Sequence, residues 1–168
     1  MAPWLFSELK SRNFHIKYVT EFIEEWALEG KVPTGWDQLI VTTEQLRREQ
    51  IRLKHADHIL TESPVELGYA YAEYYGCPAT EIIESIVDLY NKTYPSIAVY
   101  IHREHPYDPR GRFQTEEQSK EVDQIIYRSF KRLFNSNNLI EVSSKDKVNT
   151  LSWIINKLEN CHENNNSR

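Results

Sequence analysis

Glu21 and Glu62 are the residues of this sequence best placed to do chemistry, because each closes a short apolar run that reads as a β-strand. In an open parallel sheet ligands bind beyond the carboxyl ends of the strands, so an acid there can hold a divalent cation or accept a proton from a hydroxyl. An exposed loop acid, or a charge partner for the next helix N-terminus, would look the same for either residue alone. Two acids at equivalent strand ends shift the balance toward a functional role.

The second constellation is basic. Arg47, Arg48 and Arg52 share one helix, and Arg103, Arg110 and Arg112 surround a loop that runs from Arg103 to Gln114 and contains prolines and Gly111. A guanidinium fork suits phosphate oxygens, and a loop that closes over a substrate can deliver such forks while excluding water. A solvated charged face accounts for Arg47 and Arg52. Arg110 and Arg112 fit a lid and a structural connection equally well. His55, His58, His102 and His105 have no carboxylate or thiol partner at zinc-ligand spacing and read as surface or packing residues. Ser63 lies in Glu-Ser-Pro, without the glycines of a nucleophile elbow. Trp26, Trp36, Tyr69, Tyr71 and Tyr74 recur at helical spacing, as packing residues do.

Alternating elements must position these groups. Helices are expected over Pro3–Lys10, Phe22–Glu29, Trp36–Lys54, Val65–Tyr75, Ala79–Asn91, Thr115–Phe134 and Lys147–Glu159, with Asn13 ending the first. Thr115-Glu116-Glu117-Gln118 has the spacing of a capping box. Strands are expected at Phe14–Val19, Ile59–Thr61, Ser96–Ile101 and Leu139–Val142. This alternation implies βαβ units and a three-layer α/β/α sandwich around a mainly parallel sheet. One domain over 1–160 and a disordered tail over 161–168 are expected.

The formal net charge of −5 supplies no chain-wide basic field for nucleic acid, so no nucleic-acid partner is expected. No apolar run reaches membrane-spanning length, so no membrane partner is expected either. Cys77 and Cys161 are too few and too far apart for a disulfide framework and read as free thiols, which places the chain in the cytoplasm.

In order and separation, several segments resemble one family. They are Leu5-Phe6-x-x-Leu9-Lys10, Tyr18-Val19-Thr20-Glu21-Phe22, Asp37-Gln38 followed by Gln45-Leu46-Arg47-Arg48, Ala56-Asp57-His58-Ile59-Leu60-Thr61-Glu62-Ser63-Pro64, and Tyr107-Asp108-x-Arg110-Gly111-Arg112-x-Gln114-Thr115. Together they are similar to the small P-loop nucleoside or nucleotide kinase-like ATPases of bacteria and phages, akin to nicotinamide riboside kinases. The resemblance implies a nucleoside or nucleotide acceptor and Mg-ATP as cofactor. It makes Glu62 the Walker B acid that holds Mg²⁺, Glu21 the acid that takes the acceptor hydroxyl's proton, and Arg110 and Arg112 lid cations. Arg103 would stand at the lid's base and Arg48 on the acceptor side. Such a kinase opens with a strand and Gly-x-x-x-x-Gly-Lys-Ser/Thr ahead of the first helix, and these 168 residues hold no such motif. Impaired ATP binding, weak or absent kinase activity and a gap in the sheet are therefore expected. A late-assigned start, a regulatory remnant that binds without catalysis, and completion by another chain or by a homo-oligomer all remain open.

Overall fold

The computed structural model describes residues 1–104, 106–108 and 114–165, with the side chains from 161 onward excepted. Its helices are α1 (Ala2–Ser11), α2 (Ile23–Leu28), α3 (Asp37–Leu53), α4 (Leu67–Tyr74), α5 (Thr80–Thr93), α6 (Glu116–Leu133) and α7 (Lys147–Asn165). Its strands are β1 (Ile16–Val19), β2 (His58–Thr61), β3 (Ala98–His102) and β4 (Leu139–Ser143). The fold is mixed α/β, and every element expected from the sequence is present within a few residues of its expected bounds. The final helix continues to Asn165.

Local chemistry explains the boundaries. Pro3 sits in the first turn of α1, where its missing N–H costs nothing, and Asn13 leaves the helix at φ 64°, a left-handed conformation that asparagine tolerates. At α6 the Thr115 side chain accepts from the Gln118 N–H at 3.3 Å while the Gln118 side chain accepts from the Thr115 N–H at 2.8 Å. This is the reciprocal cap that the sequence announces. Helix α5 buries Ile83, Val87 and Tyr90 on one stripe, the period of an amphipathic helix.

All strand pairing is parallel, but it forms two small sheets. β1 pairs with β2 from Ile16 opposite His58 to Val19 opposite Thr61, and β3 pairs with β4 from Ala98 opposite Leu139 to His102 opposite Ser143. No ladder joins β2 to β3 among the described residues. Leu60 of β2 and Val99 of β3 nevertheless pack on one buried cluster made by Leu5, Leu9, Ile16, Leu151 and Ile154, so α1 and α7 give both sheets a common apolar support. A second core, with Val65, Ala72, Ile83, Val87 and Tyr90, joins α4 and α5 and receives Leu39 and Leu46 of α3. Among the described residues no helix is long and apolar enough to cross a membrane.

Helices α3 and α4 meet closely at Gly68. A Cβ added there would lie 2.4 Å from Thr42 Oγ1 and 2.8 Å from its Cγ2. Gly68→Ala should therefore force the helices apart and cost about 1–3 kcal/mol, the usual range for overpacking. Urea denaturation measures it, with Thr42→Ala in the same chain recovering part of the loss. A Gly68→Ala protein as stable as the parent would show that the contact relaxes freely.

Candidate functional site

A cavity of about 340 Å³ opens beside the carboxyl ends of β1 and β2. The chain leaving β1 brings Glu21 and Glu24 into its wall, and the chain leaving β2 brings Ser63. Helix α3 contributes Gln38, Thr42 and Gln45, which fall on one stripe at spacings of four and three residues. Helix α4 and the turn after it add Tyr71 and Tyr75, whose rings lie near-parallel with 6.4 Å between centroids. The floor is therefore rich in amide and hydroxyl groups, one flank is aromatic, and acids stand at the strand ends.

The inner wall is held by a buried carboxyl group. Glu49 is 1% exposed. Its Oε1 accepts from the Val65 N–H and from Gln45 Nε2, each at 3.1 Å, and its Oε2 accepts from the Tyr90 hydroxyl at 2.5 Å. Gln45 Nε2 also donates to Thr61 Oγ1 at 3.3 Å, which ties the network to the last residue of β2. Burial pushes the Glu49 carboxyl above its ordinary value against the opposing pull of those donors. The adjacent Glu66, also buried, is pushed up to about 7, first by burial and then by the charge of Glu49. Burial and the same carboxylate push the Tyr90 phenol upward.

The residues singled out in the sequence separate in space. Glu21 lies in the cavity wall. Glu62 is exposed and outside that wall, near the Tyr18 phenol, which burial and the Glu62 charge push above its ordinary value. Arg48 is mostly buried and committed to protein partners: it meets Glu25 at 2.7 Å and Glu44 at 3.2 Å, with its guanidinium 5.0 Å from the Phe22 ring centroid. Arg47 pairs with Glu44 on the surface, and Arg52 donates to the Tyr18 carbonyl at 2.8 Å, so Arg52 braces β1 and is not part of a solvated face. Arg103 donates to Ser119 Oγ at 2.9 Å and faces Asp123 at 4.0 Å, which fastens the base of the loop to α6. Arg110 and Arg112 lie outside the described residues. The far end of the loop does reach the cavity: Gln114 is part of its wall and donates to the Tyr75 hydroxyl at 2.7 Å, and the Tyr107 hydroxyl donates to the Gln114 carbonyl.

Among the described residues no three His, Cys, Asp or Glu side chains gather as a metal-binding group. Trp36, expected to pack, is 64% exposed. The polar stripe of α3 is what reading the sequence for acids and arginines missed. Its signal is Gln38, Thr42, Gln45 and Glu49 recurring at helical spacing on one side of α3. No protein-family model, no curated protein and no solved structure matches the chain.

The Glu66 carboxyl holds its proton more tightly in the folded chain than in the unfolded one, so its contribution favours the fold at low pH. That contribution is lost as pH rises from about 4.5 through about 7. Between pH 4.5 and 8 the parent should lose about 3 kcal/mol relative to Glu66→Gln, given about 1.4 kcal/mol per pKa unit. Chemical denaturation of both proteins across that range checks it, and parallel pH profiles would contradict it.

Proposed function

We propose that this chain is the acceptor-binding part of a P-loop kinase-like domain and that its cavity takes a nucleoside or nucleotide. The observation that carries this reading is the position of Glu21. It enters, from the carboxyl end of β1, a cavity whose other walls offer amides, hydroxyls and tyrosine rings, the mixture that holds a sugar and a flat heterocycle. A carboxylate so placed suits general-base work on an acceptor hydroxyl. The pairing order also supports the reading, because a three-layer sandwich whose central strand is not among these residues would leave two parallel pairs, β1-β2 and β3-β4. Location in the reducing cytoplasm is part of the proposal and rests on the buried free thiol of Cys77.

Mg-ATP does not fit these 168 residues by themselves. None of Gly30, Gly35, Gly68, Gly76 and Gly111 begins a Gly-x-x-x-x-Gly-Lys-Ser/Thr loop, so the sequence lacks that motif's cradle of backbone N–H groups for the phosphates. Glu62, the acid that would serve Mg²⁺, is exposed away from the cavity wall. The same facts favour a second reading, a binding domain that keeps the acceptor pocket without catalysis. Under the kinase-like reading Arg110 and Arg112 serve as the lid cations, Arg103 anchors the base of their loop, and Arg48 acts on the acceptor side by fixing α2 to α3.

Calorimetric titration with adenosine, cytidine, guanosine, thymidine and their 5′-monophosphates should show binding of at least one, and Ala27→Trp, which fills the cavity from α2, should abolish it. Titration with Mg-ATP should give no comparable heat. A coupled assay should find ATP turnover at background, since several charge-stabilising donors worth about two to three orders of magnitude each are missing together. Mg-dependent turnover that Glu62→Gln abolishes would overturn the non-catalytic form of the reading. The absence of any nucleoside or nucleotide binding would overturn both forms.

A further inference from the structure

We propose that the cavity selects a nucleoside whose 5′-hydroxyl is free and turns away the 5′-monophosphate, and that Glu24 at its rim, with Glu21, sets this selection by charge. The selection rests on the reading of the cavity as a nucleoside or nucleotide site and names which of the two it takes.

Among the described residues the charged side chains of the cavity wall are Glu21 and Glu24, and both are acids. Glu24 stands in the first turn of α2 and is exposed, whereas Glu21 is half-buried just beyond the end of β1. The negative field extends past the wall, since the Tyr18 phenol is pushed up by burial, then by Glu62 and then by Glu24. No lysine, arginine or histidine among the described residues lines the cavity. The cations beside it are engaged by the protein. Arg48 holds Glu25 and Glu44, Arg52 donates to the Tyr18 carbonyl, and Lys31 lies over the Trp26 ring, 3.4 Å from its centroid.

The backbone offers an anion no better seat. Helix starts bind phosphate through N–H groups left free in their first turn. Val65, Leu67 and Gly68 bring the start of α4 to the cavity, but their N–H groups donate to Glu49 Oε1 at 3.1 Å, to the Pro64 carbonyl at 2.9 Å and to the Val65 carbonyl at 2.9 Å. At the start of α3 the Gln38 N–H donates to the Gly35 carbonyl at 3.3 Å. A phosphate monoester carries a charge of about −2 at neutral pH, so in this wall it would leave water to face two carboxylates. The uncharged nucleoside pays no such repulsion and still meets the amides, hydroxyls and tyrosine rings. Base chemistry at Glu21 points the same way, because an acceptor hydroxyl has a proton to give up and a phosphate dianion has none.

The test is calorimetric titration of the whole chain, at low ionic strength, with the best-binding of the four nucleosides and with its 5′-monophosphate. The parent protein should bind the nucleoside at least about tenfold more tightly than the monophosphate, and added salt should narrow that ratio. Glu24→Gln should narrow it by tightening the monophosphate, and Glu24→Lys should narrow it further. Glu24 is exposed, so both variants should fold as the parent does. A ratio that neither variant changes would mean that bulk and not charge excludes the phosphate, and would overturn the role of Glu24. Equal or tighter binding of the monophosphate by the parent protein, with Ala27→Trp still abolishing it, would overturn the selection and leave the reading of the cavity standing. Binding of neither compound would overturn both.

Discussion

The carboxyl group of Glu49 is the constraint on which the rest of this half of the molecule depends. An acid removed from water must be given donors or neutralised, and leaving it bare would cost several kcal/mol. Here the donors come from three separate places: Gln45 one turn earlier on α3, the Val65 backbone at the approach to α4, and Tyr90 on α5. Satisfying one side chain therefore fixes the mutual placement of α3, α4 and α5. Through Gln45 and Thr61 it also fixes α3 against the end of β2. Hydrogen bonds to charged groups contribute about 1.5–3 kcal/mol each, whereas exposed ion pairs such as Arg47 with Glu44 contribute about 0–1 kcal/mol. The buried network decides the geometry and the surface pairs adjust it.

The cavity follows from that geometry. Gly68 lets α4 close onto α3 at Thr42, and Thr42 bonds its own hydroxyl back to the Gln38 carbonyl at 2.7 Å, so the floor is tight and its polar groups are held by the helix itself. The outer wall is set differently. Arg48 reaches across to Glu25 and lies over the Phe22 ring, which holds α2 against α3 and keeps Ala27 and Glu24 at the rim. An arginine that looks like a substrate contact in the sequence is thus committed to protein partners in the wall it supports.

Much of the fold was legible because its signals are local. The Thr115 cap, the left-handed Asn13 and the apolar runs of all four strands depend on neighbours within a few residues, and each element lies where its signal stands. The placement of Glu21 was legible for the same reason, since a strand end is a local feature and the carboxyl edge of a parallel sheet is where ligands gather. What remained hidden depends on long-range partners. Gln38, Thr42, Gln45 and Glu49 break the rule that the inner face of a helix is apolar, and only the positions of Val65 and Tyr90 explain why Glu49 can be buried. Arg48 could not be separated from a substrate-binding arginine without knowing that Glu25 stands 2.7 Å away, 23 residues earlier in the chain. The split between β2 and β3 is likewise a matter of which strands meet, which no strand's own sequence states.

On the proposed reading, ligand recognition is built at the carboxyl ends of β1 and β2 and backed by α3. The most direct measurement is a nitrogen–proton correlation spectrum of the labelled protein during titration with its best-binding nucleoside, with the side-chain amides assigned as well as the backbone. The shifts should concentrate on Glu21, Ala27, Thr42, Gly68 and Tyr75, and the Gln45 side-chain amide should move with them along one binding curve. Saturable shifts confined to the ends of β3 and β4, around Arg103 and Glu141, with the Gln45 amide unmoved, would contradict it.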